Sequence, residues 1–140
     1  MRPISIVNFE RIVLLSIGLG VINTFMVWDR VSALLAANHL NPNVGIIALA
    51  IVLALYGLLI WFISRRGSVV AKWIYVVFTA IGLVYGLTGI GRVAAQDGTF
   101  ALIFTIVQDV LAAVSVWLLF RPDASAWFRG ERAADPDVSG

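Results

Sequence analysis

The 140-residue chain is predicted to be an all-α polytopic membrane protein, a four-transmembrane-helix bundle with both termini cytoplasmic. Three observations predict this. The first is composition: 61% of the residues are hydrophobic and 13% charged, against about 25% charged in soluble domains. Mean hydropathy is +0.96. A water-soluble domain of this size leaves a large share of its surface wet, and too few polar residues are present to cover it, so lipid is the expected solvent. The second is four apolar runs, roughly 12–28, 44–63, 70–91 and 99–120. Each is close to the ~20 residues a helix needs to cross ~30 Å of hydrocarbon. None alternates with period two, and backbone polar groups in lipid must bond within their own segment, which favours helices. The third is the distribution of positive charge, taken up after the elements.

The first span is expected over about 10–30. It reads as a retained helix, because Trp28-Asp29-Arg30 follows it instead of a small-residue cleavage site. Residues 31–38, "VSALLAAN", extend that helix or lie along the membrane interface. In "HLNPNVG", Asn41 is suited to N-cap and Pro42 to the first helical position of a second span over about 44–64. Gly67 fits the position just past its end, and Ser68 can cap a third span over about 69–92. Asp97 or Thr99 can cap the fourth, about 99–121. Pro122 ends it. Asp123 or Ser125 then caps a short interfacial helix over about 123–129, which places Trp127 and Phe128 at headgroup level. Residues 1–130 thus form one transmembrane domain, and the polar, Pro-containing segment 131–140 is expected to be a disordered cytoplasmic tail.

With four spans, one side of the membrane holds Arg2, Arg11, Arg65, Arg66, Lys72, Arg121, Arg129 and Arg132, and the other only Arg30 and Arg92. Short loops rich in Lys and Arg stay cytoplasmic. The basic island "WFISRRGSVVAKW" is therefore a topology determinant, with Arg65, Arg66 and Lys72 at the lipid headgroups. Trp61, Trp73, Trp117, Trp127 and Trp28 fall at span ends, as interfacial tryptophans do.

Reactive chemistry is sparse. The chain has no cysteine and a single histidine, His39, so neither thiolate chemistry nor a His/Cys metal cluster is expected, and no cofactor is implied. No nucleophile, base and orienting group share one depth, so an enzyme is not expected. Net charge is only +2 without a clustered basic face, which argues against nucleic acid. Glu10 and Arg11 are expected to pair at the edge of the first span.

The residue of most interest is Asp109, near the centre of the fourth span. An ionised Asp at that depth costs about 2.5–3.5 kcal/mol on insertion scales. It is expected to point into the bundle, hydrogen-bonded, and neutral or paired. Matching depths across the spans gives a polar cluster of Asp109, Gln108, Thr105, Asn23 and Tyr85, with Arg92 reaching in from the outer rim. Gly82 and Gly86 form a G-x-x-x-G that Gly89 continues, a face for close helix packing within the bundle or across a dimer.

"RPISIVNFERIVL", "SRRGSVVAKW" and "LLFRPDASAWFRG" resemble the corresponding stretches of uncharacterised small four-pass bacterial inner-membrane proteins. The resemblance covers the chain in length and layout. It implies the bacterial inner membrane and carries no assigned activity or site residues. Small multidrug transporters also have four spans, but they depend on a glutamate deep in the first span, where this chain has only Glu10 near the edge.

Three roles follow as expectations. The first is a structural or accessory protein, embedded in lipid as a homo-oligomer or a subunit of a larger membrane complex. The second is a small proton- or cation-coupled transporter or channel that uses Asp109. The third is a membrane enzyme. A closed, tightly packed bundle around Asp109 favours the first, a water path leading to it the second, and a cleft of converging ionisable groups the third.

Overall fold

The computed structural model describes residues 2–96 and 98–130. Asp97, Arg132 and the tail expected over 131–140 lie outside the described residues. The described chain is helical throughout: α1 (Ile4–Met26), α2 (Trp28–Ala37), α3 (Asn43–Arg66), α4 (Val69–Gln96), α5 (Gly98–Leu119) and α6 (Pro122–Phe128). Four of these helices contain stretches long and apolar enough to cross a membrane: Ile4–Met26, Asn43–Arg66, Val69–Val93 and Gly98–Leu119. They form a ring in which α5 packs between α1 and α4, and α3 closes the circle against both. The N-terminus of α1, the α3–α4 turn and α6 share one end, called here the basic end. The opposite end carries α2.

Local chemistry sets the boundaries. Helix α1 starts at Ile4, earlier than the expected position near residue 10, because Pro3 precedes it with φ −58° and a distant carboxylate caps it. That carboxylate belongs to Asp123, whose Oδ2 accepts the Ser5 N–H at 3.1 Å and whose Oδ1 accepts the Ser5 hydroxyl at 2.8 Å. A negative charge at a helix N-terminus is favourable through both the free N–H groups and the helix dipole. Burial pushes the Asp123 carboxyl up. Hydrogen bonds from the Ser5 hydroxyl and N–H, and from its own and the Ala124 N–H groups, outweigh this and hold it below the usual carboxylate range.

At the other end of α1 the chain bends at Val27 (φ −103°, ψ 16°), and α2 is a separate helix instead of an extension of the first. It leans on the start of α3, where Gly45 leaves room: a Cβ there would stand 2.9 Å from Leu35 and 3.2 Å from Trp28. His39 takes a left-handed φ of 58° to end α2, with Leu40 N–H bonded to Leu35 O at 2.8 Å and His39 N–H to Ala36 O at 3.0 Å. This is a Schellman closure. Asn41 Oδ1 accepts the Asn43 N–H at 2.9 Å at the start of α3. Gly67 ends α3 at φ 58°, and Ser68 Oγ caps α4 by accepting the Ala71 N–H at 3.2 Å.

The buried core sits at the basic end. Ile6, Phe9 and Val13 of α1 meet Ile60 and Ile63 of α3, Ala71 and Tyr75 of α4, Leu118 and Leu119 of α5 and Ala124 of α6. Phe9 stands edge-on to Tyr75 at 5.1 Å, and Tyr56 edge-on to the same ring at 6.1 Å. Short helix α6 plugs this end. Besides the Asp123 cap, Trp127 donates its indole N–H to Ile63 O at 3.3 Å. A side chain at Gly67 would come within 3.2 Å of Trp127. Lys72, in the first turn of α4, is buried at this end, its ammonium 4.1 Å from the Phe120 ring centre and 4.8 Å from that of Phe128. Arg65 and Arg66 are exposed, with Arg66 over Trp61 at 5.3 Å. Glu10 pairs with Arg2 across two helical turns, not with neighbouring Arg11.

Candidate functional site

Next to this core the four long helices surround a cavity of about 370 Å³. This volume falls within the range of small-molecule pockets, ~300–1,000 Å³. Its floor is the tyrosine layer of the core, Tyr56 and Tyr75, and its walls come from α1, α3, α4 and α5.

Helix α5 supplies the polar centre. Gln108 and Asp109 are adjacent, so they project about 100° apart around the helix, one toward α1 and the other toward α4. Each meets a glycine. Gln108 Nε2 lies where a Cβ on Gly20 would be 3.1 Å away, and the Asp109 carboxyl lies where a Cβ on Gly86 would be 2.6 Å from Oδ1 and 2.8 Å from Oδ2. Without these two glycines α5 could not sit this close to either neighbour with polar side chains in the seam.

The two residues differ in what they bond. Gln108 is committed: its Oε1 accepts the Ser16 hydroxyl at 2.6 Å and its Nε2 donates to Ser16 O at 3.2 Å. This double contact fixes the register of α1 against α5. Tyr75 and Ser115 share a hydrogen bond of 2.7 Å between α4 and α5, and Ser115 also donates to Ala112 O. Asp109 was expected to be hydrogen-bonded, yet its Oδ2 is buried with no hydrogen-bond partner. Thr79, in the cavity wall on α4, is likewise buried. Among the described residues, Asp109 is the one acid lining the cavity, and no Lys, Arg or His lines it.

The other residues expected in the cluster are not at the cavity. Tyr85 is 74% exposed on the outside of α4. It precedes Gly86 by one residue and so points about 100° away from α5. Arg92 is exposed near the end of α4. Asn23 lines a separate recess with Asp29, Arg30 and Phe100 beside α2, and Thr105 turns its hydroxyl back to Ala101 O of its own helix at 3.0 Å. Depth alone suggested these positions, and helical phase excludes them. Gly86 makes the close approach expected of the glycine face, whereas a Cβ at Gly82 or Gly89 would meet nothing within 4 Å. Gly82 lines the cavity instead. Ser16, Tyr56, Tyr75 and Thr79, which the sequence reading missed, are part of the site. Their signal is a phased stripe: Tyr75, Thr79, Gly82 and Gly86 recur at helical spacing on α4, and Val13, Ser16, Gly20 and Thr24 on α1.

No group of three or more His, Asp or Glu among the described residues converges as a metal site would require. No protein-family model, curated protein or solved structure matches the chain.

Proposed function

We propose that this is a small multi-pass protein of the bacterial inner membrane, with both termini and the α3–α4 turn cytoplasmic, that moves a proton or a cation by way of Asp109. The eight-to-two distribution of Lys and Arg supports the orientation. A single observation carries the activity: a carboxyl oxygen that is buried at mid-span, unbonded, and borders an open cavity. Intramembrane acids that only tie helices together find partners. Here the tying is done by Ser16–Gln108 and Tyr75–Ser115, which leaves Asp109 uncommitted.

The test is flux in proteoliposomes under an imposed pH or cation gradient. Wild-type flux should vanish in Asp109→Asn, which keeps the shape and cannot ionise, while the unfolding midpoint stays unchanged. Absence of wild-type flux under both gradients would return the protein to the accessory role, as a homo-oligomer or a subunit of a larger complex.

A further inference from the structure

Exposure of the residues lining the cavity shows where it opens. Most are buried or half-buried, and the exposed ones are Val52 on α3 and Phe78 and Gly82 on α4. The opening therefore lies in the seam between α3 and α4. Val52 is nine residues from the start of α3 and Phe78 nine from the start of α4, or about 14 Å from opposite ends at ~1.5 Å per residue. In a hydrocarbon layer of ~30 Å both fall close to the middle. The rim is apolar and bulky, with Val52 48% and Phe78 59% exposed. Such an opening gives a solute dissolved in the lipid a direct route into the cavity.

Inside, the polar groups ask for a donor. Asp109 Oδ2 is buried without a partner, no Lys, Arg or His among the described residues lines the cavity, and Tyr56, Tyr75 and Phe78 supply aromatic walls. A carboxyl group and aromatic faces together suit an ammonium group, through a charge-assisted hydrogen bond and cation–π attraction. The remaining walls are aliphatic, among them Leu49, Leu53 and Leu111.

Resting on the transport reading above, we propose that the cavity takes a lipophilic amine, which reaches it from the lipid phase through the α3–α4 seam and pairs its ammonium with Asp109. The ligand's apolar body occupies the space between Leu53 and Phe78.

The test is direct binding to the full-length protein in lipid nanodiscs by equilibrium dialysis, corrected for uptake into empty discs. Naphthylmethylamine is compared with naphthylmethanol, naphthoate and methylamine. The amine should bind wild type about tenfold more tightly than the alcohol, the worth of one charge-assisted contact. Naphthoate and methylamine should not bind measurably, the first for its charge and the second for its lack of an apolar body. Asp109→Asn should erase the difference between amine and alcohol. Gly82→Leu should abolish both, and it is compatible with the fold because a Cβ there meets nothing within 4 Å. Equal binding of amine and alcohol to wild type would overturn the ammonium assignment, while loss of both in Gly82→Leu would keep the cavity as a binding site. Amine binding that Gly82→Leu leaves intact would overturn the site itself. The wild-type comparison and the Gly82→Leu arm decide the matter even if Asp109→Asn does not fold. Specific amine binding without flux would sink the transport reading alone.

Discussion

The two halves of this bundle use the same helices to opposite ends. At the basic end, Phe9, Ile63, Tyr75 and Leu119 interlock, α6 plugs the opening, and even Lys72 is folded under aromatic rings. Beyond the Tyr56–Tyr75 layer the helices line a partly polar cavity. In lipid, apolar side chains gain little from burial as such, so helices stay together through close packing and hydrogen bonds. The closed half is rich in both. The open half keeps the Ser16–Gln108 clasp, the approach at Gly86 and the packing of α2 on α3 at Gly45. The contrast assigns stability to one end and ligand chemistry to the other.

The largest expected effect falls in the closed half. Phe9 is fully buried and supports Tyr75. Phe9→Ala should cost about 2–3 kcal/mol, below the usual cost for a buried aromatic because lipid removes the transfer contribution. Phe78→Ala, at the cavity rim, should cost close to nothing. Similar losses for both, by unfolding in mixed detergent and denaturant, would break the contrast. Next is Gly86→Leu, which drives carbon into the Asp109 carboxyl and should cost about 1–3 kcal/mol. An unchanged unfolding midpoint would mean that α4 and α5 are not in contact there.

The fold was legible where physics is local. Span number follows from length and hydropathy, and Asn41, Gly67 and Ser68 act at the boundaries assigned to them, because capping depends on a few neighbouring residues. The separate helix α2 and the role of Asp123 were not legible. One depends on a tertiary fit to Gly45, and the other on a contact between residues 5 and 123. At the site, Asp109 and Gln108 stood out because polar groups at mid-span are rare. Tyr85 was misassigned and Ser16 and Thr79 missed, because depth fixes only one of the two coordinates of a residue on a helix.

Smaller effects sharpen the comparison. Ser16→Ala removes the hydroxyl that Gln108 accepts but leaves the Ser16 carbonyl in place, and should cost about 0.6 kcal/mol, at most ~1.7. A double-mutant cycle with Gln108→Ala checks the coupling. A weaker, pH-dependent effect is expected at Asp123. Because its carboxyl is held below the usual range in the fold, its contribution is fully present above the ordinary value of ~3.9 and is lost as pH falls through the lower folded value. Wild type should lose stability in that acid window, and Asp123→Asn should show the same loss at neutral pH with a flatter acid profile. Identical profiles would remove Asp123 from the docking of α6. Smallest of all, Asp109→Asn should leave the unfolding midpoint unchanged, since Oδ2 has no bond to lose.

The claim that one half is closed and the other open to the lipid at mid-depth has a direct test, helped by the absence of cysteine from the chain. Single cysteines at Gly82, on the cavity rim, at Ile60, buried in the closed half, and at Ile74, exposed on the outside of α4, can be challenged in native membranes with a lipid-soluble maleimide. Ile60 lies six residues from the end of α3 and Ile74 five from the start of α4, so these two stand at similar depth and Ile74 controls for it. Gly82→Cys and Ile74→Cys should be modified, and Ile60→Cys should react only after denaturation. Equal protection, or equal modification, of Gly82→Cys and Ile60→Cys would contradict the contrast between the halves.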